Sequence, residues 1–391
     1  MNARALIRFC LGALVVLAAE LSPAAPADVT LAVLPFENLS SSQDAAAMVQ
    51  QQLSGALQKK GWTIAPVEQV EAVLAARRIR YVDSLDDESR RAVLTATGAV
   101  AYLAGSVYAF ESGRNPVVSF SARILRADGT TAWSDATGLA ASDTERVLGF
   151  GRASTAAEVL NAAVTRIAKR LPDSLAETAL PHGPSRPMFL SRPASWNAAD
   201  LDPTTPHLIC VLPLENNTST PEASKIVGDI LALRLSSVSG FEVVSPSRLR
   251  EAARAAHLAS LSNVSNAFLR KLAPHVGTTL FLRGTIYTYS DITGNSDADP
   301  AIQLDLTLVD VEAGRVLWAA QHERRGTDYE GLLLLGASSN AVLLADRVIT
   351  ELIDAAGEQH DDRRSAEARA NPLLPSKHSS LRTPRIEGEH R

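Results

Sequence analysis

One strand-and-loop segment occurs twice in this chain, and that recurrence narrows the possible folds more than any other feature. Leu31-Ala32-Val33-Leu34-Pro35-Phe36-Glu37-Asn38 returns as Ile209-Cys210-Val211-Leu212-Pro213-Leu214-Glu215-Asn216. An apolar run that ends in proline, followed by one more apolar residue and Glu-Asn, reads as a buried strand feeding a loop. Proline cannot donate to a sheet ladder and is tolerated at a strand end.

The same succession of elements comes after each copy. After the first strand (29–36), helical spacing covers 43–60 and Gly61 closes it, as a left-handed C-terminal cap does. Trp62–Ala65 is a short strand and Pro66 opens a helix to about Arg77. A third helix (86–97) stops at Gly98. The period then falls to two: a strand over 100–110, alternation of Val118, Phe120, Ala122 and Ile124 with polar residues, a turn at Ala127-Asp128-Gly129, and a return through Trp133. A helix over 144–171 closes the unit. The second copy places its helix at 221–238, a short strand at 241–245, a helix from Pro246 and a helix ending at Gly277. Strands follow at 278–289, 301–310 and 315–324, then a helix over 328–356. Landmarks pair as Val33 with Val211, Gly105 with Gly284 and Trp133 with Trp318. The expected fold class is therefore α/β, with a mixed sheet and flanking helices present as two tandem copies.

The expected domains are a signal peptide (1–27), a first repeat (28–171), a proline-rich linker (172–206), a second repeat (207–356) and a disordered tail (357–391). The leader rests on Arg4 and Arg8 before an apolar run, Phe9 to Ala19, too short for a membrane span of about 20 residues. Ala25-Pro26-Ala27 then offers a small-x-small cleavage site. Ile7-Arg8-Phe9 before Cys10 lacks the small residues of a lipoprotein signal. Cleavage leaves Cys210 as an inert thiol in an apolar run. The chain is expected to be exported, with no membrane span once the leader is gone.

Charge and aromatic content exclude some functions. With 38 basic against 43 acidic residues the net charge is −5, so there is no broad electrostatic footprint for nucleic acid. Four Trp and six Tyr also make a poor stacking platform. No nucleotide loop, nucleophile elbow or His-Glu-x-x-His pair occurs. Gly149-Phe150-Gly151 lacks the third glycine of a phosphate loop, and the eight histidines are scattered without ligand spacing. No catalytic residue, cofactor or metal is expected. Asn295-Ser296-Asp297-Ala298-Asp299 begins like a calcium loop. Pro300 stands where that loop needs glycine, and Leu306 where it needs its bidentate Glu, so a solvated acidic hairpin tip (291–299) is the preferred reading. The candidate partner-binding edge comprises Phe36, Glu37, Asn38, Leu214, Glu215 and Asn216. The competing reading has the Asn side chains capping the turns into the helices.

Val33-Leu34-Pro35-Phe36-Glu37-Asn38 with Gly61-Trp62-Thr63-Ile64-Ala65-Pro66 resembles the TolB N-terminal domain and the related periplasmic domains of CsgG and LpoB-type proteins. So do Val211–Asn216 with Gly240–Val244, and the Gly-Arg-Val-Leu-Trp pattern at 314–318, echoed at 129–133. The resemblance implies a small mixed sheet flanked by helices, a Gram-negative periplasmic address and envelope assembly through protein contacts. The chain departs from TolB in lacking propeller repeats. It departs from CsgG in having hairpin connections (111–116 and 290–300) too short for membrane strands. The expected function is a non-enzymatic adaptor or accessory protein in envelope assembly or export, with envelope or secretion proteins as partners. The alternatives are a receptor for a small ligand or peptidoglycan fragment with a cleft between the repeats, and a hydrolase of unrecognised type.

Overall fold

The computed structural model describes residues 30–370 apart from 81, 145–151, 177, 181–182, 185, 188, 199–204, 259, 262–263, 291–298, 331–337 and 339. Of the sequence-based readings, the leader, the glycine pair at 149–151, residues 291–298 of the acidic hairpin tip and the tail beyond 370 lie outside the described residues. The fold is α/β, with two sheet-containing halves.

In the first half, β1 (Thr30–Val33) lies between β3 (Thr63–Ile64) and β4 (Ala101–Glu111), parallel to both. β4, β5 (Val117–Arg126) and β6 (Thr131–Ala140) continue antiparallel, and the two-residue β2 (Glu37–Asn38) pairs beside β4. The order is β3-β1-β4-β5-β6. Helices α1 (Ala45–Lys59) and α4 (Ala156–Ala168) cover one face, burying Val49, Leu53, Leu57, Leu160 and Ile167 against Leu103, Phe120, Ile124 and Trp133. α2 (Val67–Ala76) and α3 (Asp87–Thr97) cover one end of the other face over Leu34 and Tyr102.

The second half repeats that order. β8 (His207–Val211) lies between β10 (Phe241–Val243) and β11 (Leu280–Ser290), followed by β12 (Ala301–Asp310) and β13 (Arg315–Arg325), with β9 (Glu215–Asn216) beside β11. α5 (Ala223–Ser236) and α8 (Ala341–Ala370) bury Ile226, Ile230, Val348 and Leu352 against Ile209, Leu282, Leu304 and Leu306. α6 (Pro246–Ala255) and α7 (Asn266–Val276) cover the opposite face, where Leu249 and Leu269 share a core with Phe281 of β11.

Local chemistry sets the boundaries. α3 and α7 both stop at glycines in the left-handed conformation, Gly98 (φ 65°) and Gly277 (φ 77°), where a Cβ would be strained. Ser245 caps α6 by accepting from the Arg248 amide at 3.3 Å, with Pro246 at the first helical position.

Other elements differ from the sequence reading. Within 172–206, Ala194–Asn197 forms β7 and extends the second sheet along β13. The helix expected over 144–171 is shorter: a 3-10 turn covers Ala141–Thr144 and α4 starts at Ala156, where Thr155 caps it. The closing helix starts late, after a 3-10 turn at Gly326–Tyr329, and runs to Ala370, beyond the expected end at 356. β7 depends on long-range pairing and the start of α4 on a cap, neither of which hydrophobic periodicity reports.

The two halves are docked. Ser106, Ser119, Ser121, Ala136 and Gly138 lie on the first sheet's remaining face, most of them buried. A Cβ placed on Gly138 would meet the Asn340 side chain at the head of α8. Tyr108, on the same face and 4% exposed, packs into the second half's core. The corresponding residues of the second sheet are Thr285, Gln303, Asp305, Gln321 and Glu323, and none of them is fully buried.

Candidate interdomain cleft and polar seam

The seam is built around Lys225 on α5. Its Nζ lies 2.8 Å from Asp229, 3.2 Å from Glu37 and 3.6 Å from Asp83, the last two contributed by the first half. Burial alone would lower the lysine pKa, but the three carboxylates outweigh it and hold the ammonium above its ordinary value. Asp83 also faces Arg250 at 3.7 Å, and its backbone carbonyl accepts from Arg123. Beside it, Ser84 bonds Ser247 side chain to side chain at 3.0 Å and accepts from the Ser247 amide at 3.1 Å. Arg250 donates to the Ser84 carbonyl at 2.8 Å. Tyr108 shares a 2.6 Å hydrogen bond with Ser121, and burial, then Asp229, pushes its hydroxyl well above the ordinary phenol range.

A deeper ionic contact joins the same halves. Arg234 on α5 pairs with Asp346 on α8 at 2.5 and 2.8 Å, and lies 3.8 Å from Asp135 of β6. Arg170 of the first half approaches Asp135 from the other side at 2.6 Å.

Next to the seam, the turn after α2 faces α6 across a cleft of about 650 Å³. Arg77, Arg78, Ile79, Arg80, Ser84, Leu85 and Asp86 line it from the first half. Arg250, Glu251, Arg254, Leu258 and Leu261 are among the second half's contributions. α2 and α6 end alike: the Ile79 amide donates to the Leu74 carbonyl and the Leu258 amide to that of Ala253, both at 2.9 Å. The intervening Arg78 (φ 53°) and His257 (φ 55°) are the non-glycine residues with positive φ among those described.

The sequence-predicted edge residues have separate environments. Phe36 is 5% exposed and lies over Gly105, while Leu214 is 2% exposed in the second core. Glu37 accepts from Ser106 at 3.1 Å and joins the seam. Glu215 is exposed on the open second sheet, beside Arg283, Thr285 and Asp305. Asn38 and Asn216 fold their own loops. Asn38 donates to Ser42 O (2.7 Å) and accepts from the Ser40 amide (3.1 Å). Asn216 does the same with Thr220 O (2.8 Å) and the Thr218 amide (3.0 Å).

Sequence reasoning missed Asp83, Lys225, Asp229 and Arg250: Asp83 meets Lys225 and Arg250 from more than 140 residues away in the chain, and Asp229 joins them through Lys225. Spacing also assigned His322 no partner. It is buried and bonds Glu351 at 2.7 Å, and Glu351 further accepts from Tyr329 (2.7 Å) and Arg324 (3.1 Å). Arg324 in turn donates to Ser191, so this cluster fastens the connecting segment to β13 and α8. Cys210 is fully buried and its thiol is pushed up to about 12 by burial. Asp299, the described end of the acidic tip, accepts from the Thr327 amide (2.9 Å) and hydroxyl (3.0 Å). Among the described residues, no group of three or more His, Cys, Asp or Glu side chains could hold a metal ion. No helix there is long and apolar enough to cross a membrane.

Residues 188–323 match the family model described as peptidoglycan-synthase activator LpoB. That segment starts inside the expected linker, includes β7 and extends through the second half as far as β13. No curated protein matches the chain. Solved structures similar to it include the PelC dodecamer from Paraburkholderia phytofirmans, at 19% identity over 42% of this chain and 95% of that one, with a TM-score of 0.28. Lipoprotein GNA1162 from Neisseria meningitidis gives 18%, 37%, 99% and 0.28 in the same terms. The LpoB C-terminal domain from Escherichia coli gives 18%, 31%, 84% and 0.24.

Proposed function

We propose that this chain is a non-enzymatic, periplasmic accessory protein of cell-envelope assembly, acting through protein contacts and exported by its leader. The observation that carries this reading is the match of residues 188–323 to a family described as an activator of a synthase, a role exercised on another protein. The matching sheet orders of the halves support two copies of one TolB- or CsgG-like unit. The second copy's open sheet, with Glu215 at its edge, offers the larger uncovered polar surface. Phe36 and Leu214 support the strand ends from beneath, and Glu37 serves the docking of the halves.

The test is affinity purification of the tagged mature protein from chemically cross-linked envelopes, with the cross-linked peptides mapped. An envelope-assembly or secretion protein recovered in stoichiometric amount, with cross-links on the second sheet, is expected. Recovery of the chain alone would overturn the reading.

A further inference from the structure

The cleft between α2 and α6 concentrates positive charge in a protein of net charge −5. Arg77, Arg78, Arg80, Arg250 and Arg254 line it against Asp86 and Glu251, leaving a formal excess of three positive charges. Some of this is internally matched. Arg77 pairs with Glu88 at 2.8 Å and Arg250 reaches Asp83 and Ser84; against its own burial the Asp86 carboxyl is held below its ordinary value by hydrogen bonds from Ser89 first, and then by Arg254 and Arg250. Arg78 and Arg80 stand exposed on the first-half wall with no ion pair among the described residues. Arg254 stands exposed on the opposite wall, its Nε 3.4 Å from the Arg250 carbonyl.

Like charges facing each other across a concave space repel, and a counter-anion held between them removes that cost. Guanidinium groups suit carboxylate and phosphate oxygens because the planar donor fork binds them in pairs. Ile79, Leu85, Leu258 and Leu261 give the same cleft an apolar part, and about 650 Å³ is the size of pockets that enclose small organic ligands. Arg78 holds a left-handed backbone at the end of α2, as His257 does at the end of α6.

We propose that this cleft is a binding site for a small ligand that carries two or more carboxylate or phosphate groups on a partly apolar body. Its anionic groups bridge Arg78 and Arg80 of the first half to Arg254 of the second. The site goes beyond the adaptor reading and does not depend on it, because it is tested on the purified chain alone.

The experiment is isothermal titration of the full mature chain with citrate and, separately, with tripolyphosphate, at ionic strength held constant with sodium chloride. One site with Kd below about 1 mM for at least one probe is expected. The probe that binds more tightly identifies the carboxylate or the phosphate as the recognised group. The R78E/R254E double variant, checked for folding by circular dichroism, should bind at least tenfold more weakly, whereas R315E on the distant β12–β13 turn should bind as the parent does. Absence of saturable binding by both probes overturns the proposal. Equal affinity in the parent and the folded double variant does so as well.

Discussion

Asp135 lies within ion-pair reach of Arg170 in its own half and Arg234 in the other, yet burial outweighs both and pushes its carboxyl up to about 6. The nearby Asp346 acts in the same upward direction. A carboxyl whose folded pKa exceeds its unfolded value of about 3.9 makes its full stabilising contribution below that unfolded value. The contribution is lost as pH rises through the folded pKa, because the unfolded chain ionises first. Between about pH 4 and 7 this one group should therefore remove on the order of 3 kcal/mol of stability, at about 1.4 kcal/mol per pKa unit. Urea titrations of the parent and Asp135→Asn at pH 4 and pH 8 check this. The variant is expected to gain about 2–3 kcal/mol relative to the parent on going to pH 8. Parallel pH dependences of the two proteins would contradict the assignment.

At the scale of elements, β4 can carry β2 and the strand-end loop across it because residue 105 has no side chain. A Cβ there would lie 2.4 Å from the Phe36 ring and 2.5 Å from the Ser121 carbonyl oxygen. Gly105→Ala should cost about 1–3 kcal/mol by overpacking, and Phe36→Ala about 3–5 kcal/mol by leaving a cavity, both read from urea midpoints. The double variant should cost less than the sum, since removing the ring relieves one of the two clashes. Strict additivity would mean that Phe36 does not rest on Gly105. The glycine at 284 makes the corresponding approach to the Asp305 carbonyl oxygen. The pairing of these two glycines was legible in the sequence; what each one meets was not.

For the whole molecule, α5 serves both halves. It fills the second core and, through Lys225 and Arg234, supplies cations to carboxylates of the first half. The halves should therefore unfold together, in one calorimetric transition whose enthalpy equals the van't Hoff value. Lys225→Met leaves Glu37, Asp83 and Asp229 facing one another without their shared cation. It should cost about 1–3 kcal/mol, less than a fully buried pair because the lysine side chain is 32% exposed. Two separate transitions in the parent, with only one of them moved by the substitution, would show that the halves are independent.

The α/β character, the strand-end loops, the glycine caps at Gly98 and Gly277 and the switch from helical to alternating spacing were all determined by residues close together in the chain. Those signals rest on local backbone preference and hydrophobic period, which act over a few residues. Which sheet face is covered was decided only in three dimensions. The signal was present, as small residues at Ser106, Ser121 and Ala136 against Thr285, Asp305 and Gln321, but those positions share a face only once the strand register aligns them. The cleft and the seam needed the further step of docking the halves, because their charges come from segments that meet only after both sheets have formed.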